Sequence, residues 1–127
     1  MKYISVLSLL CVLGGCVRTE AQQAAYHKLS AAEAQKMMSE LEDFIILDVR
    51  TEAEYREQRI AGAVLIPDYE IKERAPVELP LKDKVILVYC RSGRRSGNAA
   101  RTLAGLGYSN VYDFGGIIDW PYDTIGD

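Results

Sequence analysis

Residues Val85 to Tyr89 read VILVY and run directly into Cys90-Arg91-Ser92-Gly93-Arg94-Arg95, after which apolar residues recur at helical intervals from Ser96 to Leu106. The apolar run is rich in β-branched residues and too short for a helix, so it predicts a strand buried on both faces. Ala99, Ala100, Leu103 and Leu106 mark one face of the helix that follows, and Gly107 ends it. A buried strand joined to a helix by six residues points to an α/β layer architecture. The junction has a chemical consequence as well. The first amide groups of a helix lack intrahelical partners, and glycine at position 93 lets the loop turn them toward one centre, an anion cradle with a thiol at its mouth. The helix dipole and the guanidinium groups of Arg91, Arg94 and Arg95 favour thiolate over thiol there, which makes Cys90 a candidate nucleophile. Taken singly, the arginines also fit a solvated loop and the thiol a packed core residue; together they fit a reactive site better.

The rest of the chain supports the same layering. Ser30-Ala31-Ala32-Glu33 has capping-box spacing, and Ala34, Met37, Met38 and Leu41 follow on one face, which predicts an amphipathic helix over Ala31 to Leu41. Phe44 to Val49 predicts a buried strand with Asp48 near its carboxyl end. Thr51-Glu52-Ala53-Glu54 repeats the capping box and predicts a short helix from Glu52 to about Gln58. Ala63 to Ile66, stopped by Pro67, and Val111 to Phe114 are further strand candidates. Strands alternating with helices imply crossover connections, hence an open, mainly parallel sheet with helices on both faces. Ligands of such sheets bind at the strands' carboxyl ends, where Asp48 and Cys90 both fall.

The N-terminus departs from this pattern. Met1-Lys2 is positive, Tyr3 to Leu13 carries no charge, and Leu13-Gly14-Gly15 places small residues before Cys16. This is the layout of a secretory signal over residues 1–15, and its apolar run falls well short of the ~20 residues a spanning helix needs. Leu13 to Cys16 resembles the bacterial lipoprotein box, which implies lipidation of Cys16, export, and anchoring to a membrane through acyl chains. Val17 stands where an inner-membrane retention signal often has Asp, so in a Gram-negative cell the expected location is the periplasmic face of the outer membrane. Residues 16–25 then form a lipidated N-terminus and polar tether, and the domain spans 26–127. Cys11 leaves with the signal and Cys16 is consumed by lipid, so Cys90 is the one free thiol expected of an exported protein in which paired cysteines are usual. The formal charge of −3, which becomes −4 once Lys2 is lost (14 basic against 18 acidic residues), argues against a nucleic-acid partner.

Cys90 to Ser96 resembles the active-site loop of rhodanese-like domains, and other motifs line up in order along nearly the whole of Tyr26 to Asp127. Leu47-Asp48-Val49-Arg50 with Glu54-Tyr55 resembles the family's D-V-R…E-[FY] element, Ile60 to Ala63 with Ile66-Pro67 its I-x-G-A…I-P strand, and Gly115-Gly116-Ile117 with Trp120 its terminal G-G…W segment. Arg59 stands where the family often has His. The resemblance implies the rhodanese fold and a sulfurtransferase in which Cys90 takes a sulfane sulfur from thiosulfate or a persulfide and passes it to a thiol or cyanide. On this reading Arg91, Ser92, Gly93, Arg94, Arg95 and Ser96 hold the anion, while Asp48 and Arg50 support neighbouring loops by charge-assisted hydrogen bonds, the alternative being a plain surface ion pair. Trp120 either packs under the loop or lines the pocket. Neither cofactor nor metal is expected, since one His and one free Cys make no metal site.

Two other readings compete. A cysteine phosphatase places a thiolate in a similar cradle, but its C-x5-R signature needs arginine where this chain has Ser96. A persulfide-carrying or redox-sensing module with little turnover keeps the same loop and differs only in rate.

Overall fold

The computed structural model describes residues 25–127. The expected signal over residues 1–15, Cys11, the lipid-bearing Cys16 and the tether up to residue 24 lie outside the described residues.

Five parallel strands form one sheet: β1 (His27–Lys28), β2 (Ile45–Asp48), β3 (Val64–Leu65), β4 (Ile86–Cys90) and β5 (Val111–Gly116), in spatial order β1-β5-β4-β2-β3. The helices are α1 (Ala31–Glu40), α2 (Glu52–Glu57), α3 (Ile71–Glu78) and α4 (Arg94–Gly105), with single 3-10 turns at Asp68–Glu70 and Ile117–Asp119. Parallel neighbours cannot be joined by a tight hairpin, so each connection crosses over a face of the sheet.

Side-chain alternation along β4 divides the interior. Ile86, Val88 and Cys90 join Ile71, Ala75, Ala99, Ala100 and Leu103 beneath α3 and α4. Leu87 and Tyr89 join Ala34, Ile60, Phe114, Ile117 and Trp120 on the opposite face, against α1. Because β4 is covered on both sides, every one of its residues is buried. The middle of the sheet is therefore covered on both faces, the arrangement expected of a parallel sheet.

Both predicted capping boxes form. The Ser30 and Thr51 hydroxyls accept from the N–H groups of Glu33 and Glu54, whose carboxylates accept from the cap amides in return. Two elements had no sequence signal. β1 is two exposed residues held at the sheet edge by pairing with Tyr112 and Asp113 of β5. α3 is polar and contains Pro76, and only Ile71 and Ala75 of it are buried. Arg59 bridges Ile125 through paired backbone hydrogen bonds, and its guanidinium lies over the Tyr55 ring and against Asp127. It thus holds the C-terminal segment against α2.

Candidate active site

The site begins where β4 ends. Cys90 is the last residue of the strand and only 1% exposed, on the α3–α4 side of the sheet. Three residues later Gly93 takes φ +109°, a backbone conformation that L side chains rarely adopt, and caps α4. That turn points the Gly93 N–H back at the sulfur, 3.0 Å away. The sulfur also contacts the hydroxyl of Ser96 at 3.4 Å, and Ser96 has no exposed surface.

The helix starts two residues before the expected Ser96, because Gly93 rather than a side chain caps it. Arg94 and Arg95 therefore belong to its first turn, where the helix dipole already places positive charge. Their fates differ. Arg95, expected to hold the anion, reaches across to α2 and makes a bidentate pair with Glu54 at 2.8 and 2.9 Å. Its guanidinium is engaged with a carboxylate rather than with the loop's interior. Arg91 and Arg94 are exposed and have no ion-pair partner among the described residues, so they are the loop's uncompensated cations.

The Arg95 guanidinium, with Thr51 donors adding to it, holds the Glu54 carboxyl down at about 2 against an ordinary value of 4.5. A carboxylate depressed on folding stabilises the protein fully above its unfolded value and loses that contribution as pH falls through its folded value. The window is therefore pH 4.5 down to 2. Because the two side chains are 26% and 27% exposed, we expect Glu54→Gln to cost about 1–2 kcal/mol at pH 7 after solvent screening. The gap from wild type should close toward pH 2. Urea midpoints measured from pH 7 to pH 2.5 check this; a gap that stays constant with pH would remove the ion pair from the account.

The end of β5 forms the other wall. Val88 pairs with Asp113 but Cys90 pairs with Gly116, so β5 carries one extra residue opposite Cys90, a bulge beside the sulfur. Gly115 takes φ +87° in that bulge. Its N–H donates to the carboxylate of Asp113 at 2.9 Å, and Asp113 is 5% exposed. Gly116 lies so close to the loop that a Cβ on it would sit 2.0 Å from the Arg91 carbonyl oxygen. Asp113 was missed in the sequence; its signal was an acidic residue two positions before a Gly-Gly pair, the spacing of a side chain that caps its own turn.

The sequence model of the rhodanese-like domain family matches residues 30–121, most of the chain and every helix and strand described except β1. The chain belongs to the rhodanese-like domain family. It is 40% identical over 73 residues to the thiosulfate sulfurtransferase PspE of Escherichia coli (strain K12), which covers 58% of this chain and 70% of that protein. A sulfurtransferase of Allochromatium vinosum is 35% identical over 95 residues, covering 74% of this chain and 87% of the relative. Among solved structures, a rhodanese with anions from E. coli superposes with a TM-score of 0.61 at 35% identity, over 65% of this chain and 98% of that one. The rhodanese-like domain from the Anabaena sp. Alr3790 protein gives 0.73 at 27% identity, over 81% of each chain.

Within this rhodanese-like domain Asp48 and Arg50 form a buried pair, not a surface one: they are 0% and 4% exposed and bonded at 2.7 Å. Arg50 also donates from its backbone N–H and Nε to Asp48, and from its guanidinium to the Gln58 carbonyl. The Tyr89 hydroxyl donates to Asp48 at 2.7 Å and accepts from the Ile60 N–H. Burial, reinforced by the Asp48 charge, pushes the Tyr89 phenol far up, so it remains a donor. The network ties the ends of β2 and β4 to the 58–60 loop. Arg50 and Arg91 line a cleft of about 220 Å³ with Glu54, Glu57, Gln58, Ile117 and Ile118. Trp120 packs instead against Phe114 and Tyr122 on the α1 face, its indole N–H donating to the Asp123 carbonyl.

Proposed function

We propose that the domain transfers sulfane sulfur from thiosulfate or a persulfide to a thiophilic acceptor such as a thiol or cyanide, through a persulfide on Cys90. The observation that carries this reading is the amide of Gly93 aimed at the Cys90 sulfur from the start of a helix whose first turn bears two arginines. The similarity to the E. coli thiosulfate sulfurtransferase and the A. vinosum sulfurtransferase supports the class of reaction, and the anions in the E. coli rhodanese structure agree with an anion-binding fold.

The chemistry asks for charge placement more than proton transfer. The Cys90 thiolate attacks the outer sulfur of thiosulfate; a sulfur–sulfur bond forms to Sγ, the bond to the sulfonate sulfur breaks, and sulfite leaves with the electron pair. The negative charge now rests on the terminal persulfide sulfur. An acceptor such as cyanide bonds to that sulfur, the persulfide bond breaks, and the pair returns to Cys90 as thiocyanate departs. Arg91 and Arg94 draw the dianion to the loop, while Arg95, braced by Glu54, fixes the helix that bears Arg94.

Steady-state thiocyanate formation from thiosulfate and cyanide tests the reading, with Cys90→Ser as the comparison. Turnover in the wild type and none in the variant is expected. Hydrolysis of an aryl phosphate faster than sulfur transfer would favour a phosphatase instead, and a stable persulfide without turnover would favour a carrier module.

The chain's N-terminal sequence supports an exported protein anchored by lipid at Cys16, on the periplasmic face of the outer membrane in a Gram-negative cell. Cys16→Ala should then release the protein from the membrane fraction; retention there would remove the lipid anchor.

A further inference from the structure

Ser96 has one hydroxyl proton and three acceptors within reach: the Gly93 carbonyl at 3.1 Å, the Gly115 carbonyl at 3.4 Å and the Cys90 sulfur at 3.4 Å. It is fully buried on the first turn of α4, so its hydroxyl meets the sulfur rather than solvent. In the thiol state Cys90 S–H donates to the Ser96 oxygen, and Ser96 O–H donates to the Gly93 carbonyl. Ionisation removes the S–H donor and leaves a negative sulfur next to a rotatable hydroxyl. Swinging the hydroxyl onto sulfur gives up its bond to Gly93, but the Gly93 carbonyl still accepts from the Gly97 N–H at 3.1 Å. No buried carbonyl is left unpaired by the change, so the usual penalty for breaking a buried hydrogen bond is absent.

We infer that the Ser96 hydroxyl is a two-position donor that follows the charge on Cys90, and so is a catalytic residue of the sulfur transfer proposed above, on which its part in turnover rests. With the thiol proton released to solvent, the sulfur receives two donors, the Gly93 N–H and the Ser96 O–H. When thiosulfate sulfur bonds to Sγ and sulfite departs with its electron pair, charge moves to the terminal sulfur and the hydroxyl can return to the Gly93 carbonyl. When the acceptor removes the outer sulfur, the pair falls back on Sγ and the hydroxyl donates again. One group thus supports Cys90 as nucleophile in the first half-reaction and as leaving group in the second.

The charged groups on the elements around Cys90 are Arg91 on the loop, Arg94 and Arg95 on α4, Glu54 on α2, Asp68 on the turn after β3, the Asp48–Arg50 pair at the end of β2 and Asp113 on β5, and of these Arg95 interacts with the sulfur's charge. They are common to wild type and Ser96 variants, so a difference between the proteins reports the hydroxyl. The test is the pH dependence of iodoacetamide alkylation in the full chain, read on the Cys90 peptide by mass spectrometry so that other cysteines do not count. Ser96→Ala is expected to raise the alkylation midpoint by about one pH unit and to slow persulfide formation and discharge each by roughly tenfold, the size of one charge-assisted hydrogen bond. Ser96→Thr, which keeps the hydroxyl, is expected to retain the wild-type midpoint. A Ser96→Ala midpoint equal to wild type, or a Ser96→Thr midpoint raised as far as that of Ser96→Ala, would overturn the inference. Alkylation needs no thiosulfate, so this result stands apart from success or failure of the sulfurtransferase reading.

Discussion

Gly116→Ala is expected to lower sulfur-transfer turnover by at least about 100-fold while leaving a folded protein. The added Cβ would sit 2.0 Å from the Arg91 carbonyl oxygen, 2.5 Å from its carbon and 2.6 Å from the Ser92 Cα. All three are backbone atoms, so no side chain can swing aside. Either the loop from Arg91 to Gly93 or the end of β5 must move, and Gly116 is the register partner of Cys90 itself. A shift of an ångström in a positioned reacting group is enough for a loss of that size. The cost in stability should be about 1–3 kcal/mol, as for other overpacked sites. Gly105→Ala makes a control within the same domain: it lies at the end of α4 with nothing within 4 Å of the added carbon, and should be neutral or stabilising by up to about 1 kcal/mol. Turnover and urea midpoints of the two variants, measured side by side, separate a local clash from a general intolerance of alanine. Full activity in Gly116→Ala would mean that the loop does not depend on this close approach.

The second large effect concerns Asp48. Asp48→Ala leaves the 4%-exposed Arg50 guanidinium without its carboxylate and the Tyr89 hydroxyl without its acceptor. Removing one partner of a buried pair costs about 3–5 kcal/mol, a large share of the 5–15 kcal/mol that holds a domain folded. The thermal midpoint should fall by roughly 15 °C or more. The double variant Asp48→Ala with Arg50→Met should be more stable than Asp48→Ala alone, because it no longer buries an unpaired charge. Calorimetry on the three proteins decides the matter. A loss under about 1 kcal/mol for Asp48→Ala would return the pair to the status of an ordinary surface contact.

The parts of the fold legible in the sequence were those set by local chemistry. Val85 to Tyr89 announced β4 by its branched residues, and the Ser30 and Thr51 boxes announced α1 and α2. α3 was illegible because Lys72, Glu73, Arg74 and Pro76 hide its two buried residues, Ile71 and Ala75. β1 was illegible because His27 and Lys28 are a strand only by virtue of β5 beside them. The site followed the same division. Cys90 and Gly93 stood out by spacing, since a strand end and a helix cap are local events. Arg95 was read as an anion ligand because its partner Glu54 lies 41 residues earlier, and only the packing of α2 against the start of α4 brings the two together. Trp120 could not be assigned from sequence because the side of the sheet it packs on depends on the bulge in β5, which the Gly-Gly pair hints at but does not fix in register.

The central claim is that Cys90 carries the sulfur. Mass spectrometry of the protein after exposure to thiosulfate tests it directly, with wild type and Cys90→Ser treated alike and the Cys90 peptide read in each. A gain of one sulfur atom on that peptide is expected in the wild type, discharged by cyanide, and no gain in Cys90→Ser. A one-sulfur gain that persists in Cys90→Ser, or a wild-type peptide that never loads, would contradict it.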